Sequence, residues 1–581
     1  MKPARWLLPA FDPKGVSELA EALHIRPLTA RVLIKRGYGD PAAAHTFFHP
    51  SLDDLHDPHG IRDLDVAVER LRRAIAGGEK ILIYGDYDVD GTTSVAILLK
   101  AIEIAGGTAH YHVPHRLREG YGMRLDVVEQ AAAEGVRLII SVDTGIRAGE
   151  VVQAARELGI DVIVTDHHLP EASLPPAVAV LNPNRPDCRY PNKNLCGAGV
   201  AFKLAQGLFE TLGWSDEKLR RMKESFLRLA AIATVSDVTP LTGENRVIVK
   251  HGLRGLGNTR NPGLRALLDV SGFPPGETPT STQIAFRIGP RINAAGRMAT
   301  ATDVIELLLS ADETKAKEIA GRLHSLNQER QETEAGIVRL ILQECEAAPI
   351  MEDQSALVFS GVGWHRGVVG IVASRLVERF CRPVFVISED AETGEAHGSG
   401  RSAAGFHLLE ALESMPELFT KFGGHRQAAG VTIPTVRVEE FRTRFAVYAR
   451  ARLSPEDFHP LIEIDSDMDL AEATGETAEE ILSLAPFGFG NPIPVFHVRA
   501  AELAGPPSIL KEKHARLSVR RNGKSLSATA WNFAARAANM RAGDLLDLVI
   551  SFEDDSYGRS RGWPGWTVTL RDARPSEVTG Q

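Results

Sequence analysis

From Lys80 the chain alternates short apolar runs with amphipathic segments, and several of the runs end in acids. KILIYGD (80–86), AHYHV (109–113), RLIISVD (137–143), DVIVTD (161–166) and VAVLNP (178–183) read as strands. Between them, TTSVAILLKAIEIAGG, MRLDVVEQAAAEG and RAGEVVQAARELG read as helices, each closed by Gly. Strands separated by helices of this length pair in parallel and bury both sheet faces. Their carboxyl ends then lie along one edge, where α/β sheets bind ligands.

That edge is acidic. The first βα turn is Gly85-Asp86-Tyr87-Asp88-Val89-Asp90-Gly91, with three carboxylates in five residues. Another strand ends at Asp143, in SVDTG, and the next at Asp166-His167-His168. Asp237 follows the apolar run LAAIATVS. Grouped buried carboxylates are costly unless a cation binds among them. Hard carboxylate oxygens with one or two imidazoles suit Mn²⁺ or Mg²⁺ better than structural zinc. So many acids predict two ions, one carboxylate bridging them, of the kind that activate water and clamp a phosphoryl group. An isolated Asp triplet would instead cap a helix. A calcium loop is excluded because its ligating Glu is missing after DVDG, and no P-loop is present.

The rest of the chain reads as further domains. Its 581 residues suggest about four units. With 44% apolar and 24% charged residues it is neither disordered, collagenous nor a coiled coil. Residues 1–75 read as a helical cap on the next domain. Residues 76–240 hold the parallel sheet, and 241–350 are a helical connector ending in one long helix or two over 311–348. Residues 351–452 return to α/β. Residues 456–575 read as all-β, with LIEID, VFHVRA, ARLSVR, SLSATAW, LLDLVISF and WTVTLR as strands of an OB-like barrel. Asn522-Gly523 predicts a type I′ hairpin, and the tail DARPSEVTGQ reads as loose.

The four Cys form no CxxC pair, which fits a reducing cytosol. MKPARWLLPAFDPKG is too short in its apolar stretch for a signal peptide, and no run of about 18 apolar residues predicts a membrane span. The net charge of −9 requires any nucleic-acid binder to concentrate its positive charge locally. ARLSVRRNGK does so: period two puts Arg516 and Arg520 on one face, with Lys524 beyond the turn. Trp531, Trp563 and Trp566 are base platforms or core residues. Arg287, Arg291 and Arg297, around Asn293 in FRIGPRINAAGR, fork onto phosphate or pair with acids. Arg116 and Tyr121 sit in a loop on the acidic edge, where Tyr121 stacks on a base or packs.

The Asp166-His167-His168 triplet, with GDYDVDG and SVDTG, resembles the DHH phosphoesterases, which are named for it. LCGAGVAFKL, ATVSDVTPLTGENR, GWHRGVVGIVASRL, GSGRS, FGGHRQAAG and PFGFGNPIPVF extend the resemblance along nearly the whole chain, to the branch that degrades single-stranded DNA. It implies a DHH domain, a smaller DHHA1 domain across a long helix, and an OB-fold. The implied activity is 5′→3′ exonucleolytic release of mononucleotides in recombination and repair. The implied metal ligands are Asp86, Asp88, Asp90, Asp143 as bridge, His167 and Asp237. Asp166 and His168 then support or position water. Some relatives carry a His where this chain has Tyr84, which shifts weight to Asp86. In GSGRS, Ser399, Arg401 and Ser402, with His425, would grip the strand near its 5′ end.

The implied partners are single-stranded DNA and, through it, a single-strand-binding protein and a RecQ-type helicase. The expected setting is a monomer in the bacterial cytoplasm, at the nucleoid. A phosphodiesterase for short oligonucleotides or cyclic dinucleotides is the alternative, but such relatives commonly lack an OB barrel. A non-catalytic DNA scaffold would have lost acids that are intact here.

Overall fold

The computed structural model describes residues 3–116, 118–348, 354–403, 405–555, 558–559 and 561–577. They divide into two compact units. One holds Asp57–Asp237 and Gly252–Pro460; the other holds Ala4–His56, Val238–His251 and the chain from Leu461.

In the first unit the sheet is β1 (Lys80–Tyr84), β2 (Ala109–His112), β3 (Val136–Val142), β4 (Asp161–Thr165) and β5 (Ala179–Leu181). All pairs are parallel and the order is 2-1-3-4-5. The order reverses beside β1, so the crevice outside β1 and β3 is the expected binding edge. Every residue of β3 except Arg137 is buried, as a sheet covered on both faces requires. The helix Val89–Ile104 covers one face and is itself buried over twelve of its sixteen residues.

The linker is one helix, Glu313–Ala347, of 35 residues. Beyond it lies a second sheet: β6 (Leu357–Val362), β7 (Val384–Glu389), β8 (Glu395–Arg401), β9 (Lys421–Gly424) and β10 (Ala428–Pro434). Its order is 9-10-8-7-6, with only β6 and β7 parallel. Phe385, Phe441 and Phe445 pack edge-on in its core. That crowding explains GSGRS. A Cβ on Gly400 would lie 2.4 Å from the Phe385 ring, and one on Gly398 2.8 Å from Val431. Alternation along β8 therefore turns Ser399 and Arg401 to the other face.

In the second unit, strands Phe496–Leu503, Leu545–Asp554, Trp566–Pro575, Lys524–Ala530 and His514–Arg521 pair in that order. A further pairing of the first with the last closes the barrel. Asn522 and Gly523 have φ of 47° and 74°, as a type I′ turn demands. Arg516 and Arg520 are exposed while Leu517 and Val519 are buried.

Three expectations change here. The helices Pro13–Leu23, Pro27–Lys35 and Pro41–Phe48, expected as a cap on the next domain, belong to the unit that holds the barrel. Leu19, Leu33 and Phe47 share one core with Phe496, Leu517 and Leu548 of the barrel. Their spacing revealed an apolar face but not its partner. LIEID is not a barrel strand: Leu461–Glu463 pairs with Arg5–Leu7. In the tail, Asp572–Pro575 continues the last strand, while residues 578–581 lie outside the described part.

This shared core predicts that a fragment starting at Leu461 will not fold alone. Melting of the fragment should be non-cooperative by near-UV circular dichroism, and supplying residues 4–56 should restore a transition. Within the full chain, Leu33→Ala should destabilise this unit by about 2–5 kcal/mol in denaturant unfolding.

Candidate metal and phosphate site

The strand ends deliver the acids, and close packing fixes them. Asp88 caps the helix Val89–Ile104, its side chain accepting from the Gly91 amide at 3.0 Å. Gly91 is required because a Cβ there would lie 2.5 Å from the Asp86 carbonyl oxygen. Asp90 reaches across to another helix, Gly197–Glu210. Its two oxygens accept from the Gly197 and Ala198 amides at 2.5 and 2.7 Å. A helix N-terminus is a fixed positive pole, and it holds this buried carboxylate.

Asp143 leaves β3 with φ at 58°, the left-handed region. Gly197 passes so close that a Cβ would lie 2.7 Å from the Asp143 Cβ. LCGAGVAFKL thus supplies both the amides for Asp90 and the space for Asp143, a role not evident from sequence.

Asp166 is held by four donors. It accepts from the amides of His167, His168 and Ile146 at 2.7, 3.1 and 3.0 Å and faces His168 Nδ1 at 2.7 Å. Burial pushes its carboxyl up, but the bond to His168 and these donors outweigh that and hold it below the ordinary range. Asp166 therefore orients His168 through Oδ1. The His168 imidazole is pulled down by burial and raised more by Asp166, so it lies above its usual value.

The other groups converge. His167 Nε2 lies 3.2 Å from Asp143, 3.7 Å from Asp90 and 3.8 Å from Asp237. Asp90, His167 and Asp237 form one set with ligand atoms within 4.8 Å of one another. Asp86, Asp88 and Asp143 form a second, and Asp143, His167 and His168 a third. Asp143 belongs to two of them, as a bridging carboxylate would. Burial first, and then the neighbouring carboxylates, drive Asp86, Asp143 and Asp237 well above the usual carboxylate range, and Asp90 is raised as well. Asp86 Oδ1 and Asp143 Oδ1 are buried with no hydrogen-bond donor. Orphaned hard oxygens beside an imidazole fit a pair of Mn²⁺ or Mg²⁺ ions. Tyr84 is buried and its hydroxyl donates to the Gly122 carbonyl at 3.2 Å.

Facing the acids are cations. Arg116 lies over the Tyr87 ring at 4.7 Å and is near enough to lower the Asp86 carboxyl. Arg297 donates to the Gly367 carbonyl at 2.9 Å. Burial, with Arg116, Arg401 and Arg330 around it, pulls its guanidinium down to about 9. Arg401 and Ser399 lie against Gly370, in the first turn of the helix Val369–Phe380; a Cβ there would be 3.1 Å from Arg401 and 3.4 Å from Ser399. His425 is exposed at the end of this group, where burial first and then Arg401, His407 and His168 lower it. Mutually repelling, half-buried guanidiniums beside a helix N-terminus suit a phosphate.

The remaining residues divide. Tyr121 is 56% exposed, meets His168 edge-on at 5.8 Å, and so stands at the rim of the acid cluster. Asn293 Oδ1 accepts from the Val89 amide at 3.2 Å, bracing the first motif. Arg287 lies over Phe273 at 4.1 Å and donates to the Ser271 carbonyl, and Arg291 meets His324. The Ser402 hydroxyl donates to the Phe406 carbonyl at 3.0 Å, within its own turn. In the barrel, Arg520 pairs with Glu502 at 2.6 Å, while Arg516 and Lys524 are exposed on the hairpin. Trp531 and Trp563 are exposed, whereas Trp566 packs on Phe552. Arg330 went unread in the sequence because its helix looked merely charged.

A parallel sheet bearing this acid cluster, beside cations drawn from its own loop, the connector and a second α/β domain, is the architecture of a DHH phosphoesterase. Residues 80–234 match the DHH family, N-terminal domain; 353–450 match the DHHA1 domain; and 464–562 match the RecJ OB domain. The chain is 38% identical to the single-stranded-DNA-specific exonuclease RecJ of Bacillus subtilis, over 99% of this chain and 71% of that one. Against the RecJ of Dickeya dadantii identity is 41%, over 83% and 86%. The crystal structure of Thermus thermophilus RecJ with Mn²⁺ superposes with a TM-score of 0.83 at 30% identity, covering 100% of this chain and 81% of that one. Its Mg²⁺ complex matches at 0.77 and 29%, over 99% and 79%. The chain belongs to the RecJ family.

Like charges packed this tightly make a stability prediction. Asp143→Asn keeps the shape, and Asn tolerates a positive φ better than most residues. In EDTA the variant should melt at least about 2 °C above the parent protein, because it loses buried repulsion. Adding Mn²⁺ should raise the melting temperature of the parent and leave the variant nearly unmoved. An unchanged or lower melting temperature of the variant in EDTA would show that the cluster is not strained.

Proposed function

We propose that this chain is a divalent-metal-dependent exonuclease that degrades single-stranded DNA from the 5′ end and releases 5′-mononucleotides. The observation that carries the reading is the juxtaposition of orphaned carboxylates, Asp86 and Asp143, with an Arg116–Arg297–Arg401 group. Ions bound by Asp86, Asp88, Asp90, Asp143, His167 and Asp237 would lower the pKa of water and offset the charge gained at phosphorus. Arg401 and Ser399, with the helix N-terminus at Gly370, bind the 5′-terminal phosphate, and Arg116 and Arg297 hold the chain next to it. Tyr121 stacks on a base at the rim. His168, fixed through Nδ1 by Asp166, is left with Nε2 to hold a proton at the reacting phosphate. Hydrolysis then breaks the bond from phosphorus to the 3′-oxygen of the terminal nucleotide, and that oxygen takes the proton.

The barrel gives a second grip. Its exposed Arg516 and Lys524, with Trp531, offer charge and a stacking face to a strand beyond the reacting end. Such substrate arises where a helicase of the RecQ type opens duplex or a single-strand-binding protein covers DNA, and these are the proposed partners. The proposed setting is a monomer at the bacterial nucleoid, in the cytoplasm. Among the described residues no helix is long and apolar enough to cross a membrane.

The test uses long single strands labelled at the 5′ or the 3′ end, a blunt duplex and a dinucleotide, each with Mn²⁺ or EDTA. Labelled mononucleotide should appear from the 5′ end of the single strand alone and vanish in EDTA. Cleavage confined to the dinucleotide would instead favour a small-substrate phosphodiesterase. Asp143→Ala should abolish hydrolysis while strand binding survives. Arg516→Ala with Arg520→Ala should weaken binding to long strands and flatten its salt dependence by about one charge, since Arg520 is paired with Glu502, with short-strand cleavage retained.

A further inference from the structure

The linker helix Glu313–Ala347 is about 50 Å long and serves two domains. Its buried stripe is apolar at both ends. Ala316 to Leu323 lie on the half that packs on helices of the connector, such as Gly289–Met298, and Ile337 and Ile341 enter the core of the DHHA1 domain with Val369 and Leu376. Between them the stripe turns polar: Asn327, Arg330 and Glu334, all nearly fully buried. These three are bonded in series. Arg330 donates to Asn327 at 2.7 Å and to Glu334 at 2.8 Å. The other Glu334 oxygen accepts from Arg375, on the DHHA1 helix Val369–Phe380.

Two members of this series, Arg330 and Arg375, reach toward the cations proposed to hold phosphate. Arg330 stands close enough to Arg297 to lower it, and Arg297 is bonded to Gly367. Arg375 rides on the helix whose first turn abuts Ser399 and Arg401. A buried ion pair is weak evidence for stability, since apolar residues of equal volume serve as well or better. Its directional bonds do fix geometry.

The geometry points to Glu334 as a positioning residue: through Arg330 and Arg375 it sets the distance from the 5′-end grip to the acid cluster, and so the length of the product. This rests on the exonuclease reading. A grip at a fixed distance from the reacting centre releases one nucleotide per cut. A loosened grip lets the strand sit in a second register.

The test takes the full chain with Mn²⁺ and a 5′-phosphorylated single strand, and reads product length, kcat and KM. The variants are Glu334→Gln and Arg375→Ala. The Arg375 side chain is 61% exposed, so its removal leaves the fold intact even where Glu334→Gln fails to fold. Both should lower kcat roughly tenfold, change KM less than about threefold, and release dinucleotide beside mononucleotide. The double variant should lose no more than either single one, because the groups act as one series. Mononucleotide alone at the parent rate from both variants would falsify the proposal. So would a loss that merely tracks the unfolded fraction, with product length unchanged. If the parent chain cuts no strand, the exonuclease reading falls, and this assignment with it.

Discussion

Everything at this site follows from placing four like-charged carboxylates, Asp86, Asp90, Asp143 and Asp237, in one buried pocket. Left alone they repel, and their protons are held more tightly than in water. The fold supports the arrangement with fixed dipoles, beside the nearby His167 and Arg116. Asp90 takes both amides of a helix N-terminus, and Asp88 takes one of its own. Had lysines neutralised these acids, nothing would be left to bind a cation. Backbone amides orient the carboxylates and leave their net charge in place.

The same separation of charge operates among the cations, which come from the loop after β2, the connector helix Gly289–Met298 and the second sheet. Burial first, and then the neighbouring guanidiniums, lower Arg297 and Arg401, and Arg116 is among the charges acting on both. On the proposed reading, acids and guanidiniums together would form a slot for a phosphodiester, with anionic oxygens toward the arginines and the reacting bond toward the acids. Glycines make the slot possible. Gly197 admits Asp143, and Gly398 and Gly400 leave room for Phe385 and Val431 while Ser399 and Arg401 turn outward.

How much of this the sequence discloses depends on the range of the interaction. The parallel sheet was legible because burial on both faces leaves unbroken apolar runs such as LIISV. The acid edge was legible because parallel strands bring their carboxyl ends together whatever the loops do. The barrel hairpin was legible from Asn522-Gly523. Long-range choices were not. Nothing in LTARVLIK states that Leu33 packs beside barrel residues rather than on the neighbouring sheet. Arg287 and Arg401 look equally apt for phosphate as sequence, yet one lies on Phe273 and the other against a helix N-terminus. Asp166, read from the triplet as a supporting group, accepts from backbone amides and faces His168.

The linker helix shows why a polar residue in a buried stripe is informative. Apolar residues at 316–323 and at 337–341 attach the helix to two separate cores, and such contacts tolerate sliding by fractions of an ångström. Hydrogen bonds between guanidinium and carboxylate do not, since their strength depends on direction. A hydrolase that grips a chain end with one domain and cuts with another needs that precision where the two meet. There, apolar packing gives way to Asn327, Arg330 and Glu334.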